Sequence, residues 1–350
     1  MTPTFSTPAL VVDLDVFEAN VAAMQRMLRG TGKTVRPHVK THRTPELAKR
    51  QLDGVVTGVT CATVGEAETM VAAGIEDVLI ANEVVDPAKL ARVADLARAA
   101  KVTVAADDAG PVAELSRAAQ RAGSMVDVLV DVDVLLHRCG VGSVAEAVQL
   151  AHAISDSPGL RLAGVMGYEG RVRLGTDNRE TRIAGAYRIL ADVVAALRDA
   201  GLDVRTVSAG GTSTLREALA DPNITEVQAG VYALMEPELL VMDLPFRCAV
   251  TVRGTVISHH AGRFVADAGR RVVGMEYGPP VPVGLNGAQV AMSDEHATVL
   301  LETEPPALGS LVDFIPGQIR TTFNLHDRVW VSRRGKVVDC WPVAARGASQ

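Results

Sequence analysis

Residues 101–132 read KVTVAADDAGPVAELSRAAQRAGSMVDVLVDV, and the fold turns on how this stretch divides. Val102–Ala105 is a short β-branched run, Pro111–Ala122 is Ala-rich with apolar residues at helical spacing, and Val126–Val132 is a second β-branched run. Asp107-Asp108 and Gly123-Ser124 punctuate the junctions. Strand, helix and strand joined by short breaks form a βα unit, and repetition of that unit implies a parallel sheet. The alternation runs from Thr34 to about Tyr232. Further strand candidates are Thr34–Val39, Thr57–Cys61, Val78–Ala81, Leu160–Tyr168, Val204–Ser208 and Glu226–Gln228, with helices such as Pro87–Ala100 and Thr181–Ala200 between them. Eight strands in roughly 200 residues point to a compact (β/α)₈ barrel, somewhat under the usual ~250 residues. A doubly wound sheet is the alternative, but it usually has fewer strands before the texture changes.

That change comes after Leu244-Pro245. Cys248–Ile257, Arg263–Asp267, Thr298–Glu302, Val329–Ser332 and Lys336–Trp341 alternate in period two between Gly and Pro turns, with no long helix. The reading is an α/β chain with a barrel over residues 15–242 and a β-domain over 243–350. The strand-like Ala9–Leu14 (residues 1–14) joins the β-domain, and Asp15 is the expected cap of a helix over Val16–Leu28.

The chain has 350 residues, 48% hydrophobic and 22% charged, with a net charge of −6 and 35 basic residues that are scattered, not clustered. Nothing there attracts a polyanion, so nucleic acid is not an expected partner. Met1–Leu10 lacks the basic and apolar regions of a leader, and no stretch approaches the roughly 20 apolar residues of a membrane span, so a cytoplasmic protein is expected. Cys61, Cys139, Cys248 and Cys340 lie far apart without metal-site spacing and read as reduced thiols, mostly core, Cys139 included.

Functional groups of such barrels collect at the carboxyl ends of the strands. There stand His38, Lys40 and His42, then Asn82, Asp107, Arg138, Tyr168 and Glu169, Gly210-Gly211-Thr212, and Gln228 to Tyr232. A lysine ending a buried strand is partly desolvated, which lowers its pKa and makes the amine nucleophilic toward an aldehyde. Taken alone, the segment fits better a Lys40 that simply reaches solvent at the rim. Ser208-Ala209-Gly210-Gly211-Thr212-Ser213-Thr214 follows the seventh strand, where phosphate sites recur in this fold. A glycine pair also serves tight turns. Arg138 and Tyr168 stand where a ring between Lys40 and the glycine loop would meet them; taken singly, they read as a surface ion pair and a core aromatic.

In company these segments resemble the D-threonine aldolase and D-serine dehydratase group of pyridoxal-phosphate enzymes, which share the alanine-racemase-like fold. The resemblance rests on Thr7-Pro8-Ala9-Leu10-Val11-Val12-Asp13, Arg36-Pro37-His38-Val39-Lys40-Thr41-His42, Arg138-Cys139-Gly140-Val141, Gly167-Tyr168-Glu169-Gly170, Ser208-Ala209-Gly210-Gly211-Thr212, Glu226-Val227-Gln228-Ala229-Gly230-Val231-Tyr232 and Ser293-Asp294-Glu295-His296. It implies pyridoxal 5′-phosphate bound as a Schiff base on Lys40. It further implies a phosphate held by Gly210, Gly211 and Thr212 with Tyr232 nearby, ring contacts from Arg138 and Tyr168, and a homodimer.

Two departures stand out. Metal-dependent members carry Pro-x-His-x-Asp or Pro-x-His-x-Cys in the β-domain, and here that segment is Pro316-Gly317-Gln318-Ile319-Arg320. Arginine cannot deprotonate to serve as a ligand, so no metal is expected. Some relatives place a histidine base after the tyrosine, where this chain has Glu169; a buried glutamate could exchange protons, or could fix Arg138 or a backbone amide. The resemblance implies a lyase acting on a D-β-hydroxy amino acid by retro-aldol cleavage or dehydration. Polarisation of the β-oxygen would then fall to Arg320, Gln318, His296 or Glu169, and Arg320 could instead clamp the substrate carboxylate. A racemase or epimerase using Lys40 with Glu169 or His38 is the alternative, as is an aminotransferase; a non-catalytic pyridoxal-phosphate carrier is the remaining reading. His259-His260 and Asp267-Ala268-Gly269-Arg270 lie in the β-domain, the histidine pair reading as a turn.

Overall fold

The structure is a computed structural model that describes residues 5–52, 56, 58–170, 172 and 175–350. It divides into two compact units, one of Met27–Lys40, Ala48–Gly230 and Ala348–Gln350, the other of Met1–Arg26, Thr41–Leu47 and Val231–Gly347.

The first unit is built on eight parallel strands among the described residues: Thr34–Val35, Val59–Cys61, Asp77–Glu83, Lys101–Ala106, Val126–Asp131, Leu160–Gly167, Thr206–Ala209 and Glu226–Val227. They pair in chain order, and the eighth returns to pair with the first. A bridge between His38 and Thr60, in which Thr60 N–H donates to Pro37 O at 2.9 Å, closes the ring between first and second strands. The expected (β/α)₈ barrel is thus present. Every residue of Val126–Asp131 is buried, as befits a strand with a filled interior on one face and helices on the other. Leu79, Ala105, Leu129, Ala163 and Met166 pack as one cluster drawn from strands three to six.

Observed and expected bounds differ for physical reasons. The first strand, expected over Thr34–Val39, is regular only over Thr34–Val35, and Pro37 has no N–H to donate on the side of the second strand. Arg36 and His38 still donate to Val227 O at 2.8 Å and Ala229 O at 3.3 Å, so the chain tracks its neighbour until the 3₁₀ turn Val39–Thr41. Thr57, expected to open the second strand, lies outside the described residues. The helix expected over Pro87–Ala100 stops at Leu96; at its start Asp86 caps Ala88 and Lys89 N–H ahead of Pro87. Asp108 likewise caps Ala109–Ala122, which ends on Gly123 in the left-handed region.

In the second unit Ala9–Asp13 runs antiparallel to Val250–His260 and parallel to Arg328–Arg333, with Lys336–Pro342 beyond the latter. Val250–His260 also carries Arg263–Ala266 and Leu311–Ile315; Ala297–Leu300 and Gln289–Met292 extend the first branch, and Val281–Pro282 the second. Asp15 is not the helix cap. The helix spans Leu14–Leu28, so Asp13 Oδ1 takes the Val16 N–H at 3.1 Å, while Asp15 receives Arg333 Nη1 and Arg334 N–H, each at 2.8 Å. The thiols are free, but only Cys61 is fully buried; Cys139, Cys248 and Cys340 are half-buried, because each sits in a loop or at a sheet margin and not inside the barrel wall. No described helix is long and apolar enough to cross a membrane.

Candidate active site

Parallel strands present all their carboxyl ends on one side of the barrel, and there Lys40, Asn82, Arg138, Tyr168 and the Gly210-Gly211 loop stand, whereas Asp77 and Glu226 open their strands at the other end. Lys40 sits half-buried in the turn Val39–Thr41, anchored by Val39, which has no exposed surface. His38 is buried and lies two residues from Arg36, whose guanidinium reaches Asp77 at 2.7 Å and Glu226 at 2.8 Å. Those two carboxylates hold Arg36 firmly charged despite its burial. Glu226 also accepts from Ser208 Oγ at 2.7 Å, and Ser208 accepts from Gln228 Nε2 at 3.0 Å. Gln228 is therefore part of the barrel's buried polar framework. Asn82, another strand-end candidate, donates to Ala62 O at 3.1 Å and is exposed.

Arg138 is placed by a constructed loop. His137 N–H and Nδ1 meet the Asp133 carboxylate at 2.9 Å each, and Gly140 N–H donates to Asp107 Oδ2 at 3.0 Å. Gly140 has φ +103°, and a Cβ there would stand 2.4 Å from Asp133 N, so only glycine lets the loop return to the fifth strand. The Arg138 guanidinium carbon lies 5.8 Å from the centre of the Tyr168 ring, a cation–π contact. Tyr168 in turn borders the glycine loop: a Cβ on Gly211 would stand 3.6 Å from Tyr168 Cε2, an ordinary contact. Nothing in the chain's own packing demands glycine at 211, where the backbone is extended. Gly210 differs, with φ +84° and a notional Cβ 2.7 Å from the Ala218 methyl.

Gly211 N–H donates to Thr214 Oγ1 at 3.0 Å, and the Thr214 hydroxyl donates to Glu169 Oε1. Tyr187 OH also donates to Glu169 Oε1, at 3.4 Å, and the Glu169 and Gly210 N–H groups help hold its carboxyl charged. Burial is the larger influence and raises the Glu169 pKa. The Gly211 amide is thus taken up within the loop, Thr212 and Ser213 lie buried on the 3₁₀ turn Thr212–Thr214, and the Glu169 carboxyl is held by the loop's own groups, as in the reading that has it fix a backbone amide.

Sequence reading missed two acidic residues, Asp131 and Glu83, whose carboxyls interact with each other. Asp131, ending the fifth strand, is pushed up to about 8 by burial and by a hydrogen bond and charge from Glu83 at the end of the third. Side chains from alternate strands share a layer inside such a barrel, which is the signal that could have paired them. Burial and the same Glu83 push the Cys139 thiol up to about 11, so it stays protonated and unreactive at neutral pH.

The remaining candidates lie in the second unit. Tyr232 is 1% exposed, its ring 5.5 Å from that of Phe246. Arg320 Nη2 is 3.6 Å from Glu236 Oε1, and its guanidinium carbon is 5.5 Å from the Tyr277 ring centre. Glu236 is fully buried and accepts Ile319 N–H at 3.1 Å. Gln318 Oε1 caps the helix Ile319–Leu325 by accepting Thr321 N–H at 3.2 Å. His296 and the pair His259-His260 are exposed; His260 pairs with Arg263 across a hairpin turn. Asp267 takes Thr255 N–H at 2.6 Å and the Thr7 hydroxyl at 2.7 Å, a structural role.

Residues 12–237 match the model of the alanine racemase N-terminal domain family, and residues 249–332 that of a putative serine dehydratase domain. A D-threonine aldolase of Arthrobacter sp. is 40% identical over 354 residues, 98% of this chain and 93% of that protein. A 3-hydroxy-D-aspartate aldolase of Paracoccus denitrificans is 33% identical over 97% of this chain and 92% of its own. The crystal structure of D-threonine aldolase from Filomicrobium marinum superposes with a TM-score of 0.94 at 38% identity, covering 99% of this chain and 97% of that one.

Proposed function

Because the chain belongs to the alanine racemase N-terminal domain family, and within it to the group of D-threonine and 3-hydroxy-D-aspartate aldolases, we propose that it is a pyridoxal-phosphate-dependent lyase acting on a D-β-hydroxy amino acid. The family boundaries support reading 15–242 as the cofactor barrel and 1–14 with 243–350 as the β-domain. The observation that carries the proposal is the row Arg138, Tyr168 and Gly211 at the same barrel end as Lys40.

The residues fit the cofactor. Gly211 leaves open a space beside Tyr168 that a Cβ would enter, and the buried turn Thr212–Thr214 lies next to it. Lys40 would hold the aldehyde carbon, Thr212 and Ser213 the phosphate, and Arg138 with Tyr168 the ring. When bound, pyridoxal phosphate supplies an electron sink that weakens whichever Cα bond stands perpendicular to its ring. Choosing that bond is the protein's part, and it falls to groups that fix the substrate. Arg320, a fork donor steadied by Glu236 and Tyr277, suits a carboxylate or a developing oxyanion. Lys40 Nζ and His38 would be the groups that move a proton at Cα. The metal of related enzymes does not fit: Gln318 Oε1 is spent on its helix cap and Arg320 brings a fixed positive charge.

The test uses the protein treated with chelator and loaded with pyridoxal phosphate, given a panel of D- and L-amino acids in D₂O and followed by proton NMR, with Lys40→Ala as blank. Glycine plus an aldehyde, or a keto acid plus ammonia, from D-β-hydroxy substrates is expected. Loss of the Cα proton alone, with the other enantiomer appearing, would establish a racemase instead.

A further inference from the structure

We infer that Glu169 is a positioning residue for the phosphate of the cofactor, acting from behind the loop that binds it; the inference rests on the pyridoxal-phosphate reading above. Glu169 is only 5% exposed, and Thr214 and Tyr187, its hydroxyl partners, are 0% and 5% exposed. Its carboxyl accepts the Thr214 and Tyr187 hydroxyls, and Thr214 Oγ1 accepts Gly211 N–H at 3.0 Å. One carboxyl thus holds Thr214 directly and Gly211 through it, from behind the loop.

The geometry separates neighbours in the chain. Tyr168 turns its ring toward Gly211 and Arg138, while Glu169 turns beneath the same loop. The end of strand six therefore holds both the cofactor's ring contact and the loop's anchor. With the Gly211 N–H and the Thr214 hydroxyl spent internally, the direction in which Thr212 and Ser213 offer their groups is set by Glu169. A second clamp secures the other end of the turn: Arg179 Nη2 donates to Ser213 O at 2.7 Å and its other amino group pairs with Glu217. Glu169 Oε2 has no hydrogen-bond partner, so the carboxyl has capacity for one more donor without losing its present ones.

A positioning role acts on the phosphate alone, and that gives the test. The apoprotein is titrated with pyridoxal phosphate and, separately, with pyridoxal, which lacks the phosphate, following the absorbance of the Lys40-bound aldehyde. Glu169→Ala is expected to weaken pyridoxal phosphate at least tenfold and pyridoxal less than twofold. Glu169→Gln, which keeps an acceptor toward Thr214, is expected to stay within about threefold of the parent for both, with the pH profile of turnover unmoved. Equal weakening of both aldehydes overturns the inference, as does unchanged affinity with a collapsed kcat and a lost pH limb in Glu169→Gln. Should Glu169→Ala not fold, Thr214→Val, which removes only the hydroxyl link, carries the same comparison. A parent protein that binds neither aldehyde defeats the cofactor reading itself, a separate outcome.

Discussion

Asp131 sits in an environment far from what its residue type leads one to expect. A carboxyl normally titrates near 4, but here burial and the neighbouring Glu83 keep the proton on until about pH 8. The sign follows from proton counting. Between those two values the folded chain holds a proton that the unfolded chain has released, so this contribution to stability is complete below pH 4 and is lost as pH rises through 8. The loss is on the order of 1 kcal/mol per pH unit inside that window. Asp131→Asn keeps the shape and a donor toward Glu83 but cannot titrate. Denaturant midpoints measured from pH 5 to 9 should therefore fall more steeply for the parent than for the variant. Parallel curves would mean that Asp131 is not the group holding the proton. Glu169 makes a contrasting case: its residue type was legible as a possible base, yet its direction depended on Thr214 and Tyr187, which no local pattern ties to it.

At the scale of elements, the βα alternation was legible because a parallel strand buried on both faces reads as an unbroken apolar run, as Val126–Asp131 does. Val281–Pro282, Gln289–Met292 and Leu311–Ile315 were not, since short strands among glycines and prolines carry too few residues for a period to show. The 133–140 loop was legible only as Arg138 beside a glycine; that Gly140 is a steric requirement appears once the return to the fifth strand is seen. Gly140→Ala should accordingly destabilise by about 1–3 kcal/mol, through strain at a left-handed position and a clash with backbone. It should also loosen cofactor binding through Arg138. Thermal unfolding with and without pyridoxal phosphate checks both; a variant as stable as the parent would show that the loop can relax.

For the whole molecule, the resemblance implies a homodimer, and the second unit offers a surface suited to one. Val281, Val283 and Leu311 are 46%, 50% and 56% exposed, and the pairing of Val281 with Ile315 and of Val283 N–H with Asp313 O puts them on one face. Light scattering is expected to read twice the chain mass, and V283D/L311D to shift it toward one. A parent that reads as a monomer refutes the dimer, and a double variant that stays dimeric moves the interface elsewhere.

The ring closure described above also fixes an order of events in the birth of the protein. Lys40 rides on the segment whose neighbours are the last of the barrel to be made: Arg36 bonds to Glu226, 190 positions along the chain, and His38 to Ala229. On the ribosome, that lysine emerges early and waits through the synthesis of every other strand before its own wall exists. Lys40 is thus among the first groups of the candidate site to appear and among the last to be enclosed. A chain that stops short of residue 226 carries the lysine but has no barrel to desolvate it.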